Sequence, residues 1–163
     1  MTGKEIKKTN AARKLDELGI SYELVHFEAD EADLSAEAAA EAIGMPCEQV
    51  YKTLVVRGDK SGVMEVCLPA GRELDLKSLA AASGNKNVSL VLLKEVQLLT
   101  GYIRGGCSPI AGKKDYPVYL HDDALCHDRI AVNAGARGLL FLLSPRDLVS
   151  ATQAKLAEVV KLP

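Results

Sequence analysis

Apolar positions along the chain recur at two spacings, and the switches between them mark out the elements. From Lys4 to Leu18, Ala11, Leu15 and Leu18 fall at helical intervals, and Gly19 supplies a C-terminal stop. "ISYELVHF" (20–27) has strand composition with imperfect alternation. An alanine-rich helix is predicted from Ser35 to Ile43, ended by Gly44, with Pro46 opening a turn. Val50–Arg57 and Val63–Leu68 flank "RGDKSG", whose turn chemistry predicts an antiparallel hairpin. A short helix follows from Leu74 to Ser83, then a strand from Val88 to Leu92 and a helix from Lys94 to Thr100. "YPVYLHD", "DRIAVNAG" and "ARGLLFLL" read as further strands, the last two joined across a glycine turn. Ser144 as N-cap, Pro145 at the first helical position and Asp147 in the first turn open a final helix. Six or seven strands, several in hairpins and without strict β-α-β alternation, predict a mixed α/β sheet or small barrel wrapped by helices in one domain, 1–163.

One position disturbs this pattern. In "EQVYKTLVV" (48–56), Lys52 shares a face with Val50, Leu54 and Val56. A desolvated ammonium costs several kcal/mol unless paired. Either the opposite face (Tyr51, Thr53, Val55) is the buried one, or Lys52 points into a cavity. There it could bind a carboxylate or phosphate, polarise a carbonyl, or act as a base. A pair with Glu65 on the neighbouring strand is the structural alternative.

Composition narrows the classes. At 163 residues, nearly half of them apolar, the chain can build a core without staples. No apolar run reaches the roughly 20 residues of a membrane span, and "MTGKEIKKTN" lacks a signal-peptide core, so a soluble cytoplasmic protein is expected. Cys47, Cys67, Cys107 and Cys126 are widely spaced and are expected to be reduced thiols. The spacing of His26, His121 and His127 indicates no zinc site. Net charge is −2; acid gathers in Glu28 to Glu48, as a solvated face, and Arg104, Lys113 and Lys114 could hold a few phosphates.

"GGCSPIAGKK" (105–114) is the second candidate site. Gly105 and Gly106 open backbone conformations closed to other residues, Pro109 fixes the exit, and free N–H groups could cradle an oxyanion or carbonyl. A plain tight turn is the alternative, and the segment is not a P-loop. Cys107 has no activating histidine nearby in sequence, and His121–Asp122 and His127–Asp128 read as surface polar pairs rather than dyads. Asp147 caps a helix, and its place after a strand end would also let it face a pocket.

Taken together, "VYKTLVV" (50–56), "GYIRGGCSPIAGKK" (101–114), "IAVNAGARGL" (130–139) and "SPRDL" (144–148) resemble the YbaK/EbsC family over nearly the whole chain. These are stand-alone deacylases related to the editing domain of bacterial prolyl-tRNA synthetases. The resemblance implies a mixed, largely antiparallel β-barrel-like sheet surrounded by helices, and hydrolytic removal of a wrongly attached amino acid from tRNA, with Cys-tRNA(Pro) first. It implies that Lys52 holds or polarises the aminoacyl-adenosine end, that Gly105, Gly106, Ser108 and Pro109 grip the carbonyl or terminal ribose, and that Asp147 is an acidic position at the pocket edge. Where the family pattern leads one to expect a tyrosine, Phe27 stands, keeping stacking and shape without the hydroxyl. In the cysteine branch the substrate's own thiol attacks its carbonyl, so positioning and oxyanion stabilisation suffice. tRNA is the implied partner, with prolyl-tRNA synthetase as a possible second; no metal and no cofactor is implied. An Ala-tRNA(Pro) deacylase, a non-catalytic module binding tRNA or a synthetase, and a small-molecule binder with a Lys52–Glu65 pair are the alternatives.

Overall fold

Capping and glycine chemistry set most element ends. In the computed structural model, which describes residues 8–163, helix α1 (Asn10–Glu17) starts where the Thr9 hydroxyl accepts the Ala12 N–H. The Lys4 to Lys7 part of the expected helix lies outside the described residues. Strand β1 (Glu23–His26) follows, then helix α2 (Ala36–Ile43), capped by Ser35 and closed by a left-handed Gly44. Strands β2 (Val50–Gly58) and β3 (Gly62–Pro69) form the expected hairpin. Helix α3 (Leu76–Ser83) is capped by Asp75, and strand β4 (Val88–Leu90) leads into helix α4 (Leu93–Thr100). Strands β5 (Val118–His121), β6 (Ile130–Ala136) and β7 (Leu139–Leu143) precede helix α5 (Pro145–Thr152) and strand β8 (Lys155–Ala157).

The strands form one 8-stranded mixed sheet in the order β1-β7-β6-β2-β3-β5-β8, with β4 also paired to β2. The four antiparallel pairs are β1–β7, β2–β3, β2–β4 and β6–β7; β2–β6, β3–β5 and β5–β8 are parallel. Strand β8 is an addition to the sequence expectation: at three residues, with Lys155 and Leu156 exposed, it shows no period to read.

Strand β2 is buried on both faces, which resolves the ambiguity of its pattern. Leu54 and Val56 pack with Met64, Val66 and Leu68 under α3, whereas Tyr51 and Cys67 join a second core with Leu15, Phe141 and Leu148. Val55 pairs with Glu65 and Lys52 with Leu68, so Lys52 and Glu65 lie on opposite faces. That corrects the expected alternative of a Lys52–Glu65 pair.

Among the described residues, one edge of β2 has no strand beside it between Lys52 and Leu54. Parallel β6 pairs with that edge only at Val50 and Tyr51, and β4 resumes it from Val56. The Val50 carbonyl is committed to Ala70 on the β3 side, so alternation turns the Thr53 N–H and carbonyl toward the open edge. This gap in the sheet is where the site opens.

Candidate active site

A cleft of about 710 Å³ runs over the open edge of β2, within the range that takes a small-molecule group. Lys52, Thr53 and Leu54 form its floor, the 29–37 segment one lip, and Leu90, Leu93 and Val96 the other. Arg104, Gly105 and Cys107 close one end.

Lys52 is half-buried, and its Nζ donates to the Arg72 carbonyl at 2.7 Å. The 70–72 turn that offers this carbonyl is itself tied to α2, since Gly71 N–H donates to Glu37 Oε1 at 3.1 Å. The ammonium is thus fixed by a neutral acceptor and keeps its charge available to a ligand in the cleft.

The glycine loop is held from behind. Asn133 Nδ2 donates to the carbonyls of Gly105 and Ala136, while its Oδ1 accepts from Gly135 and Ala136 N–H. Those bonds sit on the β6 bulge between Asn133 and Ala136. Gly105 has a φ of +80°, and a Cβ there would come within 3.1 Å of Leu34, so this is where the two walls meet. The Gly106 N–H is spent on Ile103; among the described residues the N–H groups of Gly105 and Cys107 donate to no protein acceptor. Arg137 Nε donates to the Arg104 carbonyl at 2.8 Å, and its Nη1 lies 3.7 Å from Glu31 across the gap.

Of the residues singled out in the sequence, Lys52, Phe27 and Gly105 line the cleft together. Gly106, Ser108 and Pro109 are buried behind the loop; the Ser108 hydroxyl accepts the Ile110 N–H. Asp147 is separated from Lys52. Strand β7 starts beside Gly138 in the cleft and ends at Leu143, so Asp147 lies beyond its far end, in a hollow of about 360 Å³ with Tyr22, Glu23 and Arg129. Asn133, Thr53 and the lip residues escaped the sequence reading. Asn133 carried a signal in the "NAG" of its strand, where glycine favours a bulge.

All four cysteines are free thiols. Burial pushes the Cys107 thiol up to about 12, the state of an inert rather than a nucleophilic sulfur. His121 is not the surface residue its Asp neighbour suggested. It is 2 % exposed, its Nδ1 accepts from Val159 N–H at 3.2 Å, and its Nε2 stands 3.3 Å from Asp123. His127 remains half-buried beside Asp128. No helix among the described residues is long and apolar enough to cross a membrane.

Comparison with known proteins puts this geometry in context. The sequence profile of the aminoacyl-tRNA editing domain matches residues 30–151. A protein of Enterococcus faecalis, a candidate Cys-tRNA(Pro)/Cys-tRNA(Cys) deacylase named EbsC, is 44 % identical over 153 residues, 94 % of this chain and 93 % of its own. A solved structure described as a candidate trans-editing enzyme for prolyl-tRNA synthetase has a TM-score of 0.81 at 26 % identity, covering 96 % of this chain and 100 % of the other. A second, described as the hypothetical protein APE2540, has a TM-score of 0.85 at 27 % identity over 94 % and 100 %.

Proposed function

Because the chain belongs to the aminoacyl-tRNA editing domain family, we propose that it is an aminoacyl-tRNA deacylase acting in translation quality control, with Cys-tRNA(Pro) as its substrate. The observation that carries this reading is the ammonium of Lys52, anchored on the Arg72 carbonyl in a cleft closed by the glycine loop.

An aminoacyl ester is already activated, so it needs a positioned carbonyl and stabilisation of the developing oxyanion. Lys52 holds the aminoacyl-adenosine end, and Phe27 packs against it. The free N–H groups of Gly105 and Cys107 supply donors for the oxyanion, in a loop framed by Gly106, Ser108 and Pro109. In the thiol-assisted route the sulfur of the substrate cysteine bonds to its own carbonyl carbon and the C–O bond to the ribose breaks. The thiol proton goes to the departing ribose oxygen, and water later opens the cyclic thioester. The inert Cys107 agrees with a route in which the protein provides no nucleophile.

We read residues 1–163 as one editing domain working in the cytoplasm, with prolyl-tRNA synthetase as a working partner; strands from Glu23 to Ala157 sharing one sheet support the single domain. Asp147, in its own hollow, serves the N-terminus of α5. Side-by-side assays of Cys-tRNA(Pro), Cys-tRNA(Cys) and Ala-tRNA(Pro) test the substrate. Faster loss of cysteine than of alanine is expected, whereas turnover of Ala-tRNA(Pro) alone would replace thiol assistance by attack of water.

A further inference from the structure

The two lips of the cleft carry opposite charge. Between Glu28 and Ile43 stand Glu28, Asp30, Glu31, Asp33, Glu37 and Glu41, with no Lys or Arg among them. Between Leu90 and Lys114 the order reverses: Lys94, Arg104, Lys113 and Lys114 stand against one carboxylate, Glu95, with Asp115 next in the chain. Glu95 is already engaged, by Arg57 at 3.5 Å and by the Leu92 N–H at 3.2 Å.

The basic lip is also unusually apolar. Leu92, Leu93 and Leu98 are 59 %, 58 % and 72 % exposed. At 100° per residue, Leu93, Lys94, Gln97 and Leu98 share one side of α4, and that side is the exposed one. Lys113 folds over the end of this helix, its Nζ 3.4 Å from the Leu98 carbonyl. Leu90 and Leu93 belong to the cleft as well, so whatever lies on this side of α4 is continuous with whatever fills the cleft.

We infer that the unpaired 3′ end of the tRNA enters the cleft across α4, with base faces on Leu92, Leu93 and Leu98 and phosphates at Lys94, Lys113 and Lys114. The inference rests on the deacylase reading. Single-stranded nucleic acid needs flat apolar contact for its bases and cations for its backbone, and this lip sets Lys94 among the leucines of α4 with Lys113 folded over the helix end. The acidic lip repels phosphate, which leaves one direction of approach. Arg104, at the end shared by both lips, stands where the last phosphate before the aminoacylated ribose arrives.

The test compares wild type, Lys94→Glu/Lys114→Glu, and a control with the same charge change away from the lip, Lys14→Glu/Lys155→Glu. Each is assayed on Cys-tRNA(Pro) and on 2′(3′)-O-cysteinyl-adenosine, which has no polynucleotide to lie on α4. The lip variant is expected to lose about tenfold or more in kcat/KM on the tRNA at low salt, with a salt slope shallower by roughly 1.5. The control and the small ester are expected to stay within about twofold. A second variant, Leu98→Asp, is expected to weaken only the tRNA reaction. Equal loss in the lip variant and the control would reduce the lip to bulk charge and overturn the inference. So would lip-variant activity on the tRNA equal to wild type, or parallel loss on the small ester. Repeating the tRNA assay with prolyl-tRNA synthetase added should leave the ratio of lip variant to wild type unchanged; loss seen only with the synthetase present would overturn the inference in favour of protein docking. Wild-type inactivity on both substrates would instead sink the deacylase reading itself.

Discussion

Glu65 shows how one buried group shapes the behaviour of the chain. It is 3 % exposed, and its Oε2 has no hydrogen-bond partner among the described residues. Burial pushes its carboxyl up to about 7 from an ordinary 4.5. The folded protein therefore keeps a proton that the unfolded chain releases, and stability falls as pH rises from about 4.5 to about 7, then levels off. Glu65→Gln should remove that fall. Denaturant melts at pH 5 and pH 8 should show the variant gaining on wild type by roughly 2.5 kcal/mol at the higher pH. An identical pH dependence in both would mean that Glu65 is paired or solvated. Thiol chemistry gives a second expectation at this scale. Exposed Cys126 should react with iodoacetamide at neutral pH, while buried Cys67 and half-buried Cys107, both thiols pushed up to about 12, should stay largely unmodified in the folded protein. Comparable modification of Cys107 would contradict the suppressed thiolate at the cleft wall. The sequence pointed to Lys52 because a charge in an apolar row is legible anywhere; Asn133 was not, because its four hydrogen bonds exist only after β6 bulges and the loop folds back.

At the scale of elements, local chemistry told most of the story. Caps and turn glycines announced α2, the β2–β3 hairpin and the start of α5. What local chemistry did not announce was strand β8 and the partners each strand takes. Strand β8 exists because β5 offers it a parallel edge, and the three parallel pairs join strands distant in sequence. The open edge of β2 is a property of that pairing too, so the position of the cleft could not be read from β2 itself. The β6–β7 turn ties element to site. Gly138 has a φ of +74°, and a Cβ there would lie 2.4 Å from the Phe27 carbonyl, which accepts no such approach. Phe27 N–H in turn donates to the Gly138 carbonyl, extending the β1–β7 ladder to the cleft wall. Gly138→Ala is expected to lower stability by about 2 kcal/mol or more and to raise KM, since Phe27 must move. A variant with unchanged Tm and KM would show that the turn has room to relax.

Across the whole molecule, sheet topology creates the gap, and segments from either side of it become two lips of contrasting chemistry. Acid on one side and cations with leucines on the other explain how a chain of net charge −2 can receive a polyanion. The acidic run reads in sequence as a solvated face, which it is; that it borders the cleft depends on α2 packing beside β2. Asp147 shows the converse, a residue whose place after a strand end is legible while the direction of that strand relative to the cleft is not. The proposed chemistry needs no protein nucleophile, only a fixed ammonium and free backbone donors, and its weight therefore falls on Lys52. The most direct measurement is single-turnover deacylation of Cys-tRNA(Pro) by wild type, Lys52→Ala and the bulk-preserving Lys52→Met, with folding checked by Tm. The account predicts rapid loss of cysteine by wild type and a fall of roughly a hundredfold in both variants at near-native stability. Wild-type and variant rates that agree, or that both equal spontaneous hydrolysis, would contradict it.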